Sequence, residues 1–475
     1  MLCVSCFMTD LMQKIISLCK RRGFVFPNSE IYGGIAGFYD YGPLGVELKN
    51  NIKREWWREM VQSRESVVGI DGAIITHPKV WEASGHVEGF TDPLAECKKC
   101  HKRFRADHLI EELEVKETGA VGEELIEKLS KALKGVKCPN CGGELTEPRR
   151  FNLLLEAGLG VVEQEKRKVF LRGEACQNIY LNYENVLNST RVKIPFGIAQ
   201  IGKAFRNEIT PKNFLHRQRE FEQWDLQWFC KPEEMKKWYD FWKKERMKWY
   251  KGLVNHKDKV RFRQHEKDEL AHYAKVAFDI EFETPFGWKE WEGIHWRGDW
   301  DLSRHGEFSG NDFTYKDPET GEEFLPHIVE TSGGVDRTFL FLLSDAYFEE
   351  GAGKDKRVVL KLRSDLASIK VAVFPLLANK PKLVRKAREV YEMLKIEFPT
   401  TWDDRGNIGK RYFAQDEIGT PWCVTVDFES LENDGLTIRD RDSTRQIRVR
   451  TPEVKDAIYK LLLGEEFSKL GSPVK

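Results

Sequence analysis

The chain has 475 residues, with 76 lysines and arginines against 76 aspartates and glutamates, so its formal net charge is zero. About 150 residues per domain predicts roughly three domains, which excludes a single small binding module. Charged residues make up 32% and hydrophobic residues 41%, a composition typical of a soluble globular protein and not of a disordered chain. Without net positive charge, any nucleic-acid binding must come from a local patch.

The cysteines indicate a reducing, cytoplasmic location, because four of the ten form two C-x-x-C pairs and the rest are too few for a secreted disulfide scaffold. Residues 1–18 do not resemble a targeting segment, since Asp10 and Lys14 interrupt their apolar run. No run approaches the ~20 apolar residues that a membrane helix needs. Both Met1 and Met8 remain open as the start of translation.

In chain order, the first clear element is a helix over residues 43–61. Pro43 stands in its first turn, and Leu48, Ile52 and Trp56 follow at four-residue spacing.

Residues 96–150 are predicted to be an inserted module, because glutamate and lysine are enriched between two C-x-x-C pairs. The pairs are Cys97 with Cys100 and Cys138 with Cys141, and Gly142-Gly143 supplies the tight turn of a zinc knuckle. Four thiolates close a tetrahedral site, so the module is predicted to bind structural zinc. The alternative is four reduced, buried thiols.

Beyond the module, short strand-like runs alternate with turn residues as far as residue 350. The predicted strands lie at 169–171, 198–201, 226–229 and 327–330, and the predicted helices at 232–250 and 339–347. Residues 351–368 begin with glycine and charge and are predicted to be a linker. Strands and helices then alternate over 369–475, which predicts a compact α/β domain. Its elements are expected at 369–377, 382–395, 422–428, 436–450 and 454–463.

Two groups of residues in the central region suit nucleotide chemistry. The first is F-R-N-E at 205–208, followed after a loop by R-Q-R-E-F at 217–221 and Asp225. Arginine forks match phosphate oxygens, and an aromatic ring opposite an arginine can sandwich a purine. The alternative is a basic hairpin with surface salt bridges. The second group, at 327–337, ends a strand in Glu330 and Ser332, followed by two glycines and Arg337.

The strings F-R-x-E, R-x-x-x-F-x-x-x-D and G-x-D-R, in this order, resemble motifs two and three of class II aminoacyl-tRNA synthetases. Further strings are similar to the homodimeric glycyl-tRNA synthetase family: YDYGPLG at 39–45, VWEASGH at 80–86, GFTDP at 89–93, RADH at 105–108, EGI at 292–294, DWDL at 299–302 and ETS at 330–332. The resemblance covers about residues 30–347, and the C-terminal α/β unit resembles that family's anticodon-binding domain.

The resemblance implies an α+β fold, with an antiparallel sheet flanked by helices, a zinc-binding insertion and a C-terminal α/β anticodon-binding domain. The implied divisions are 1–95 (catalytic core with motif one), 96–150 (zinc insertion), 151–350 (catalytic core with motifs two and three), 351–368 (linker) and 369–475 (anticodon-binding domain).

The implied reaction condenses glycine with ATP to glycyl-adenylate, releases pyrophosphate, and transfers glycine to the 3′ end of tRNA(Gly), with Mg²⁺ bridging phosphates. Arg206 would grip the α-phosphate, Phe221 would stack on adenine, and Arg337 would cover the other face or reach the γ-phosphate. The implied catalytic residues are Arg206, Glu208 and Arg337. The implied ATP-binding residues are Arg206, Asn207, Glu208, His216, Arg217, Arg219, Phe221, Glu290, Trp291, Gly334 and Arg337.

Glycine offers no side chain, so the implied site grips its ammonium and carboxylate groups and excludes a β-carbon by a steric clash. That clash makes an editing domain unnecessary. The implied glycine-binding residues are Arg105, Glu174, Phe221, Asp225, Glu330, Ser332 and Gly334, with Arg297 as a further candidate. Several acids around one small cation should titrate together.

The chain departs from the family pattern in two places. Residues 172–178 are R-G-E-A-C-Q-N, where the family usually has R-P-E-T-A-Q-G, and Asp225 stands where glutamate is common. The hypothesis is that the shorter Asp225 carboxylate weakens glycine binding or is compensated by a water.

The resemblance also implies a homodimer, with the helix at 43–61 and the following strand near the interface. Local basic residues are the candidate tRNA contacts, although the helix cluster among them could equally be a solvated face: Lys380, Lys382, Arg385, Lys386, Arg388, Arg405, Lys410, Arg411 and the hairpin 439–450.

Two other functions stay open at this point. One is a non-catalytic, class II synthetase-like nucleic-acid-binding accessory protein. The other is a class II synthetase for another small amino acid, such as serine, threonine or proline. The presence of Arg206, Glu208, Phe221 and Arg337 favours an enzyme, and the strings at 81–86 and 330–332 favour glycine.

Overall fold

A computed structural model describes residues 4–111, 122–162, 165–266, 275–353 and 356–474. Met1, one of the two candidate starts, and residues 354–355 of the predicted linker lie outside the described residues. The helices in the described part are α1 (Val4–Arg22), α2 (Pro43–Trp57), α3 (Pro78–Ala83), α4 (His86–Gly89), α5 (Ala106–Glu111), α6 (Gly122–Ala132), α7 (Gln177–Leu181), α8 (Tyr183–Ser189), α9 (Met235–Leu253), α10 (Trp300–Ser309), α11 (Val335–Ala346), α12 (Pro381–Leu394), α13 (Ile408–Ile418), α14 (Glu429–Asn433) and α15 (Val454–Leu462).

The strands form two large sheets and several small ones. They are β1 (Val25–Pro27), β2 (Tyr39–Tyr41), β3 (Val67–Gly69), β4 (Ile75–Thr76), β5 (Thr91–Glu96), β6 (Arg103–Arg105), β7 (Arg149–Asn152), β8 (Leu155–Leu159), β9 (Arg167–Leu171), β10 (Phe196–Phe205), β11 (Glu220–Cys230), β12 (Val260–Gln264), β13 (Val276–Thr284), β14 (Gly287–Gly298), β15 (Tyr315–Lys316), β16 (Glu323–Phe324), β17 (His327–Gly334), β18 (Tyr347–Glu350), β19 (Arg357–Leu360), β20 (Val371–Pro375), β21 (Thr400–Trp402), β22 (Trp422–Val426), β23 (Gly435–Asp440), β24 (Gln446–Arg450) and β25 (Ser472–Pro473).

The main sheet has seven strands in the order β12-β13-β14-β17-β11-β10-β3. Every neighbouring pair is antiparallel except β10 and β3, which run parallel. Helices α9 and α11 pack on one face, where Trp224, Trp242 and Phe339 are completely buried. The predicted antiparallel sheet flanked by helices is therefore confirmed.

The predicted helix at 43–61 is confirmed as α2, which begins at Pro43 and continues into a π-helical turn over Arg58–Gln62. Leu48, Ile52 and Trp56 are at most 1% exposed, and the helix packs against α11. Its apolar stripe thus builds the main core, since a row at four-residue spacing covers one side of a helix. No helix in the described part of the chain is long and apolar enough to cross a membrane.

The region with the two C-x-x-C pairs has a small core of its own. Its three-stranded sheet has the order β6-β5-β7, and α5 and α6 pack beside it through Leu109, Ile110, Leu129 and Leu133. Leu125, Leu129 and Leu133 follow one another at four-residue spacing, a helical pattern that the sequence-based prediction did not use.

The C-terminal region forms a separate core around a six-stranded mixed sheet of order β21-β20-β22-β23-β24-β25. Leu383, Ala387, Val390 and Leu394 form the buried face of α12, as their spacing predicts. The alternation of strands and helices expected for a compact α/β domain is confirmed.

The segment predicted to be a linker begins inside a hairpin. Strand β18 pairs with β19, with Tyr347 opposite Leu360, and Leu360, Leu362 and Leu366 join the main core. The described part of residues 351–368 is therefore a connection whose leucines pack on the main core, and its bounds as a linker stay a prediction. The charged residues at the start of this segment indicated a linker, but charged residues are equally common in an exposed two-stranded hairpin.

Candidate active site

A cleft of about 210 Å³ lies on the face of the main sheet that points away from α9 and α11. Register places Gly334 beside Gln223, and Ser332 between Asp225 and Gly293, so these positions share one face. The residues that stand between these positions along the same strands point to the opposite face of the sheet, toward the core. The cleft is lined by eleven of the residues expected from the sequence: Glu174, Arg206, Glu208, His216, Arg217, Phe221, Glu290, Glu330, Ser332, Gly334 and Arg337.

Strands β10 and β11 form the expected strand–loop–strand unit, with Phe205 opposite Glu220. The guanidinium of Arg219 braces the loop, since it donates to the backbone oxygen of Glu208 at 3.0 and 2.8 Å. Neither Arg219 nor Asn207 lines the cleft, although both were expected to bind ATP. Sequence spacing could not separate arginines that support this loop from arginines that face the cavity.

Arg206 lies between two aromatic rings at the mouth of the cleft. Its guanidinium carbon is 5.1 Å from the ring centre of Phe90 and 5.3 Å from that of Phe221, and its Nε donates to the backbone oxygen of Gly173 at 3.1 Å. These contacts hold the planar cation in one orientation, as phosphate recognition requires.

Three buried polar atoms near Arg206 lack a hydrogen-bond partner: Glu208 Oε2, His216 Nε2 and Arg217 Nη1. The last lies 3.6 Å from Glu208 Oε2, too far for a hydrogen bond. Burial, together with the positive charges of Arg337 and Arg217, holds the pKa of His216 well below its usual range. Buried polar groups are normally satisfied, so this cluster points to a polar ligand.

Arg337 stands in the first turn of α11 on the opposite wall. Its Nη1 lies 3.2 Å from Glu290 Oε1 and donates to the Glu290 backbone oxygen at 2.9 Å. The preceding Gly333 has no space for a side chain, because a Cβ there would lie 2.5 Å from Trp224 Nε1. The glycine pair therefore allows β17 to pass close over the core before the helix starts.

Trp291 was expected to contact ATP together with Glu290, and its position corrects this. Glu290 pairs with Glu281 and Glu292 with Ile280, so a bulge leaves Trp291 as the extra residue. Its ring is completely buried, and its Nε1 donates to Thr338 Oγ1 at 2.8 Å. Trp291 therefore belongs to the core, because neighbouring strand residues point to opposite faces and Glu290 faces the cleft.

At the inner end of the cleft, Glu174 accepts several hydrogen bonds on one oxygen. Its Oε1 lies 3.1 Å from His86 Nε2, 2.9 Å from Cys176 Sγ and 3.0 Å from Gln177 Nε2. Burial alone would raise the pKa of this carboxyl, but the contact with His86 more than offsets it and holds the pKa well below the usual range. Glu174 is therefore ionised.

Glu330 has contacts on both of its carboxylate oxygens, whereas Glu174 has them on one. Arg297 Nη1 donates to both of its oxygens at 3.0 and 3.1 Å, His295 Nδ1 lies 2.7 Å from Oε2, and Gln227 Nε2 donates to Oε1 at 2.9 Å. Arg297 is anchored in turn by Asp301 at 2.7 and 2.9 Å. Burial opposes ionisation, yet Arg297 and His295 lower the pKa of Glu330 to about 2.

Asp225 is completely buried next to this pair and does not itself line the cleft. Its Oδ1 accepts a hydrogen bond from Gln227, while its Oδ2 has no partner. Burial, reinforced by the charge of Glu330, raises the pKa of Asp225 well above its usual range. Three carboxylates expected around an ammonium group thus come together, with Asp225 as the one most easily protonated.

Arg105 was expected to bind glycine, and the structure corrects this. It forms ion pairs with Asp92 at 2.9 Å and Asp107 at 2.5 Å and does not line the cleft. Both partners lie close to Arg105 in the chain, so their carboxylates satisfy the guanidinium before a substrate could.

Sequence reasoning missed several polar residues around the carboxylates. Gln223 donates to Ser332 Oγ at 2.6 Å, and His295 and Gln227 hold Glu330 as described above. One signal was present in the sequence: Gln223, Asp225 and Gln227 alternate along a buried strand, and buried polar side chains at period two indicate a shared polar face.

The four cysteines of the C-x-x-C pairs converge as expected. All four sulfur atoms lie within 4.8 Å of one another, with Cys97 3.5 Å from Cys141 and Cys100 3.7 Å from Cys138. A tetrahedral zinc site with Zn–S bonds of about 2.3 Å has sulfur–sulfur edges of ~3.8 Å. Gly143 leaves room for them, since a Cβ there would lie 3.0 Å from Cys97 Sγ. The donor set fits Zn²⁺.

The basic residues of the C-terminal region divide into two groups. Arg411 and Arg439 are buried and bound internally, Arg411 to the Pro375 backbone oxygen at 2.5 Å and Arg439 to Asp416 at 2.8 and 3.0 Å. Both were expected among the tRNA contacts, and their burial excludes that role for them. The exposed candidates are Lys380, Lys382, Arg385, Arg388, Arg405, Lys410, Arg445 and Arg450.

Comparison with known proteins agrees with this geometry. Residues 160–346 match the family described as tRNA synthetase class II core domain (G, H, P, S and T), and residues 370–461 match the anticodon binding domain family. The glycine–tRNA ligase of Treponema denticola is 51% identical over 449 residues, which cover 93% of this chain and 95% of that protein. That of Thermobifida fusca is 49% identical over 466 residues, covering 96% and 99%. The chain therefore belongs to the glycine–tRNA ligase family of class II aminoacyl-tRNA synthetases.

Proposed function

We propose that this aminoacyl-tRNA synthetase activates glycine with ATP to glycyl-adenylate, releases pyrophosphate, and transfers glycine to the 3′ end of tRNA(Gly). One observation carries the proposal at the level of residues. A single cleft combines two ionised carboxylates, Glu174 and Glu330, with two arginines, Arg206 and Arg337. The carboxylates suit an ammonium group and the arginines suit phosphates.

In the first step, the glycine carboxylate oxygen attacks the α-phosphorus of ATP and pyrophosphate leaves from the opposite side. Arg206, held between Phe90 and Phe221, would stabilise the charge that grows on the α-phosphate. Phe221 would also present its ring to the adenine, and Arg337 would bind the leaving phosphates. The unpartnered Glu208 Oε2, His216 Nε2 and Arg217 Nη1 would gain partners from the nucleotide. Positioning and charge stabilisation then supply the catalysis, as in other phosphate-centred displacements.

Mg²⁺ would accompany ATP. It prefers oxygen ligands and is commonly bound through substrate phosphates and one or two carboxylates. Glu208 and Glu290 line the nucleotide end of the cleft and provide such carboxylates. The ion would neutralise phosphate charge next to Arg337.

At the other end, Glu174, Asp225 and Glu330 would surround the ammonium group of glycine, with Ser332 Oγ at the rim. Arg297, His295 and His86 keep Glu330 and Glu174 ionised and oriented before the substrate arrives. An ammonium group would therefore find charged acceptors already in position, which lowers the reorganisation needed on binding.

Charging of a tRNA(Gly) transcript with radiolabelled glycine tests the whole proposal. We expect ATP-dependent incorporation into acid-precipitable tRNA with the native chain and almost none with Arg206→Ala. Binding of tRNA(Gly) without any incorporation would favour the non-catalytic accessory protein instead.

We also propose that Cys97, Cys100, Cys138 and Cys141 hold a structural Zn²⁺. A hydrogen bond from the backbone N–H of Lys102 lowers the pKa of the Cys100 thiol to about 6, which favours the thiolate form that zinc binds. We expect about one zinc per chain by elemental analysis and a lower melting temperature after chelation. A Cys138→Ser chain that keeps full zinc content would contradict this site.

The remaining proposals concern location and partners. The described cysteines form no disulfide, which supports a cytoplasmic location.

Strand β3 is a short edge of the main sheet next to α2, which supports the homodimer interface proposed there. The exposed cations on α12 and around Arg405 support tRNA contact with the C-terminal region. Sedimentation of the purified protein at the mass of a monomer would contradict the dimer.

A further inference from the structure

Cys176 lies among the carboxylates at the inner end of the cleft. Its Sγ and one carboxylate oxygen each of Asp225 and Glu330 all lie within 4.8 Å of one another. The three residues are at most 3% exposed. Within the described part of the chain, Asp225 Oδ2 accepts no hydrogen bond, although the Ser332 hydroxyl is near enough to favour the ionised carboxylate; one buried oxygen of this group is thus open to a ligand.

The chemistry of these three atoms suits a thiophilic divalent cation. Zinc binds sulfur at about 2.3 Å and carboxylate oxygen at about 2.0–2.2 Å, usually with four ligands. The three atoms already lie within 4.8 Å of one another, so they would have to draw together around such an ion. Hard cations such as Mg²⁺ prefer all-oxygen sites, so the thiol separates zinc from the Mg²⁺ that accompanies ATP.

The charges around the group also favour a cation. Two of the three residues, Asp225 and Glu330, are acids, and a third acid, Glu174, contacts Cys176. Facing them are the cation Arg297 and the imidazoles of His86 and His295. A second buried cation, Arg172, also acts on Asp225, so three acids face two permanent cations, and the excess of acid favours a cation.

Two existing contacts would change on binding. The thiol of Cys176 now donates to Glu174 Oε1 at 2.9 Å, and it would lose its proton to solvent as the metal–sulfur bond forms. Glu330 Oε2 would exchange its contact with His295 for the metal, while Arg297 would stay anchored on Asp301.

We propose that Cys176, Asp225 and Glu330 form a second metal site, selective for Zn²⁺ over Mg²⁺, and that a bound Zn²⁺ excludes glycine from the cleft. The metal site stands on the geometry alone. The competition rests on the proposed function, because it requires that the ammonium group of glycine occupy the same carboxylates.

Metal binding can be measured without activity. Native mass spectrometry of the full chain titrated with Zn²⁺ should show one more zinc than the protein holds as purified. Cys176→Ala should abolish that extra ion, while Cys423→Ala, which removes a buried thiol of the C-terminal sheet, should keep it. Co²⁺ used as a probe should give a thiolate-to-metal absorption band that only Cys176→Ala weakens. An extra zinc that persists in Cys176→Ala would overturn the site.

Competition is tested by glycine-dependent ATP–pyrophosphate exchange, with each variant compared with its own zinc-free rate. Zn²⁺ should raise the KM for glycine and leave the KM for ATP unchanged, and Cys176→Ala should need at least ten times more Zn²⁺ for the same effect. Inhibition that excess glycine does not relieve would overturn the competition. If the chain fails to activate glycine at all, the proposed function fails, while the mass-spectrometric result still decides the metal site.

Discussion

The two ends of the cleft differ in how their polar groups are satisfied. At the inner end, Glu174 Oε1 lies within hydrogen-bond distance of three donor atoms, and Glu330 is held by Arg297, His295 and Gln227. At the outer end, Glu208 Oε2, His216 Nε2 and Arg217 Nη1 form no hydrogen bond within the described part of the chain, and Glu208 and Arg217 approach each other only to 3.6 Å. One end is organised before substrate arrives, and the other is completed only by its ligand.

This difference suits two substrates of unlike size. Glycine is too small to organise its own site, so the protein must fix the acceptors in advance, and the cost is met by burying cations beside the acids. ATP carries many polar atoms and can satisfy an open site itself. Substitutions at the two ends should therefore have distinct kinetic signatures.

The largest effect is expected from Arg206→Ala at the nucleotide end. Loss of one preorganised cation at the α-phosphate should lower kcat for pyrophosphate exchange by about 10²–10³-fold, with a smaller change in the KM for glycine. Arg191→Ala, at an exposed residue outside the cleft, is the matched control and should keep the native kcat. A loss confined to KM would show that Arg206 only binds substrate.

Glu330→Gln should come next and should affect the glycine end alone. Removing one member of a buried charge network costs ~2 kcal/mol or more, so the KM for glycine should rise about 30-fold. The KM for ATP should change little. Glu323→Gln, at an exposed strand residue, provides the control. Equal rises in the KM for glycine and the KM for ATP would contradict the claim that the two ends of the cleft bind different substrates.

Glycine binding should depend on pH through Asp225. Its raised pKa means that the carboxyl holds a proton in the empty site up to a higher pH than usual, whereas an ammonium group favours the ionised form. Binding therefore releases a proton, and the KM for glycine should fall as pH rises through that pKa, by at most about tenfold per unit. Asp225→Asn should flatten the profile. A native KM that rises over the same range would contradict the assignment.

The smallest kinetic effect is expected from Arg105→Ala. The side chain is engaged with Asp92 and Asp107, so the KM for glycine should change less than about twofold. The melting temperature should nevertheless fall, because an unpaired buried Asp92 costs ~1–3 kcal/mol. Arg103→Ala, which removes an exposed partner of Glu96, should change neither quantity. A large rise in the KM for glycine in Arg105→Ala would instead support the sequence-based prediction that Arg105 binds glycine.

Three of the strands that carry the cleft, β10, β11 and β17, could be predicted in part from the sequence because their apolar runs and motif spacing are local, whereas β14 was not predicted as a strand. The cluster at Cys97, Cys100, Cys138 and Cys141 was predictable for the same reason, since thiolate ligands in pairs leave a fixed spacing. In the C-terminal sheet, β20 and β22 are continuous apolar runs that are buried at every residue, which made them easy to predict.

The errors arose where one residue's role depends on another part of the chain. Trp291 points into the core because strand residues alternate and its neighbour Glu290 faces the cleft, whereas the sequence motif treated the two residues as a pair. Arg219 and Arg105 are cations that the fold uses internally. His295 reaches Glu330 only after β14 aligns with β17, so its part in the site could not be predicted from the sequence, whereas Gln227 was marked by its alternation with Asp225.

The central claim is that the inner end of the cleft is preorganised for glycine. The most direct test is ATP–pyrophosphate exchange by the native chain with glycine, alanine or serine as the amino acid. We expect kcat/KM for glycine to exceed that for alanine and serine by at least about 100-fold, since a β-carbon must displace groups that are already fixed. Comparable or faster exchange with alanine or serine would contradict the account.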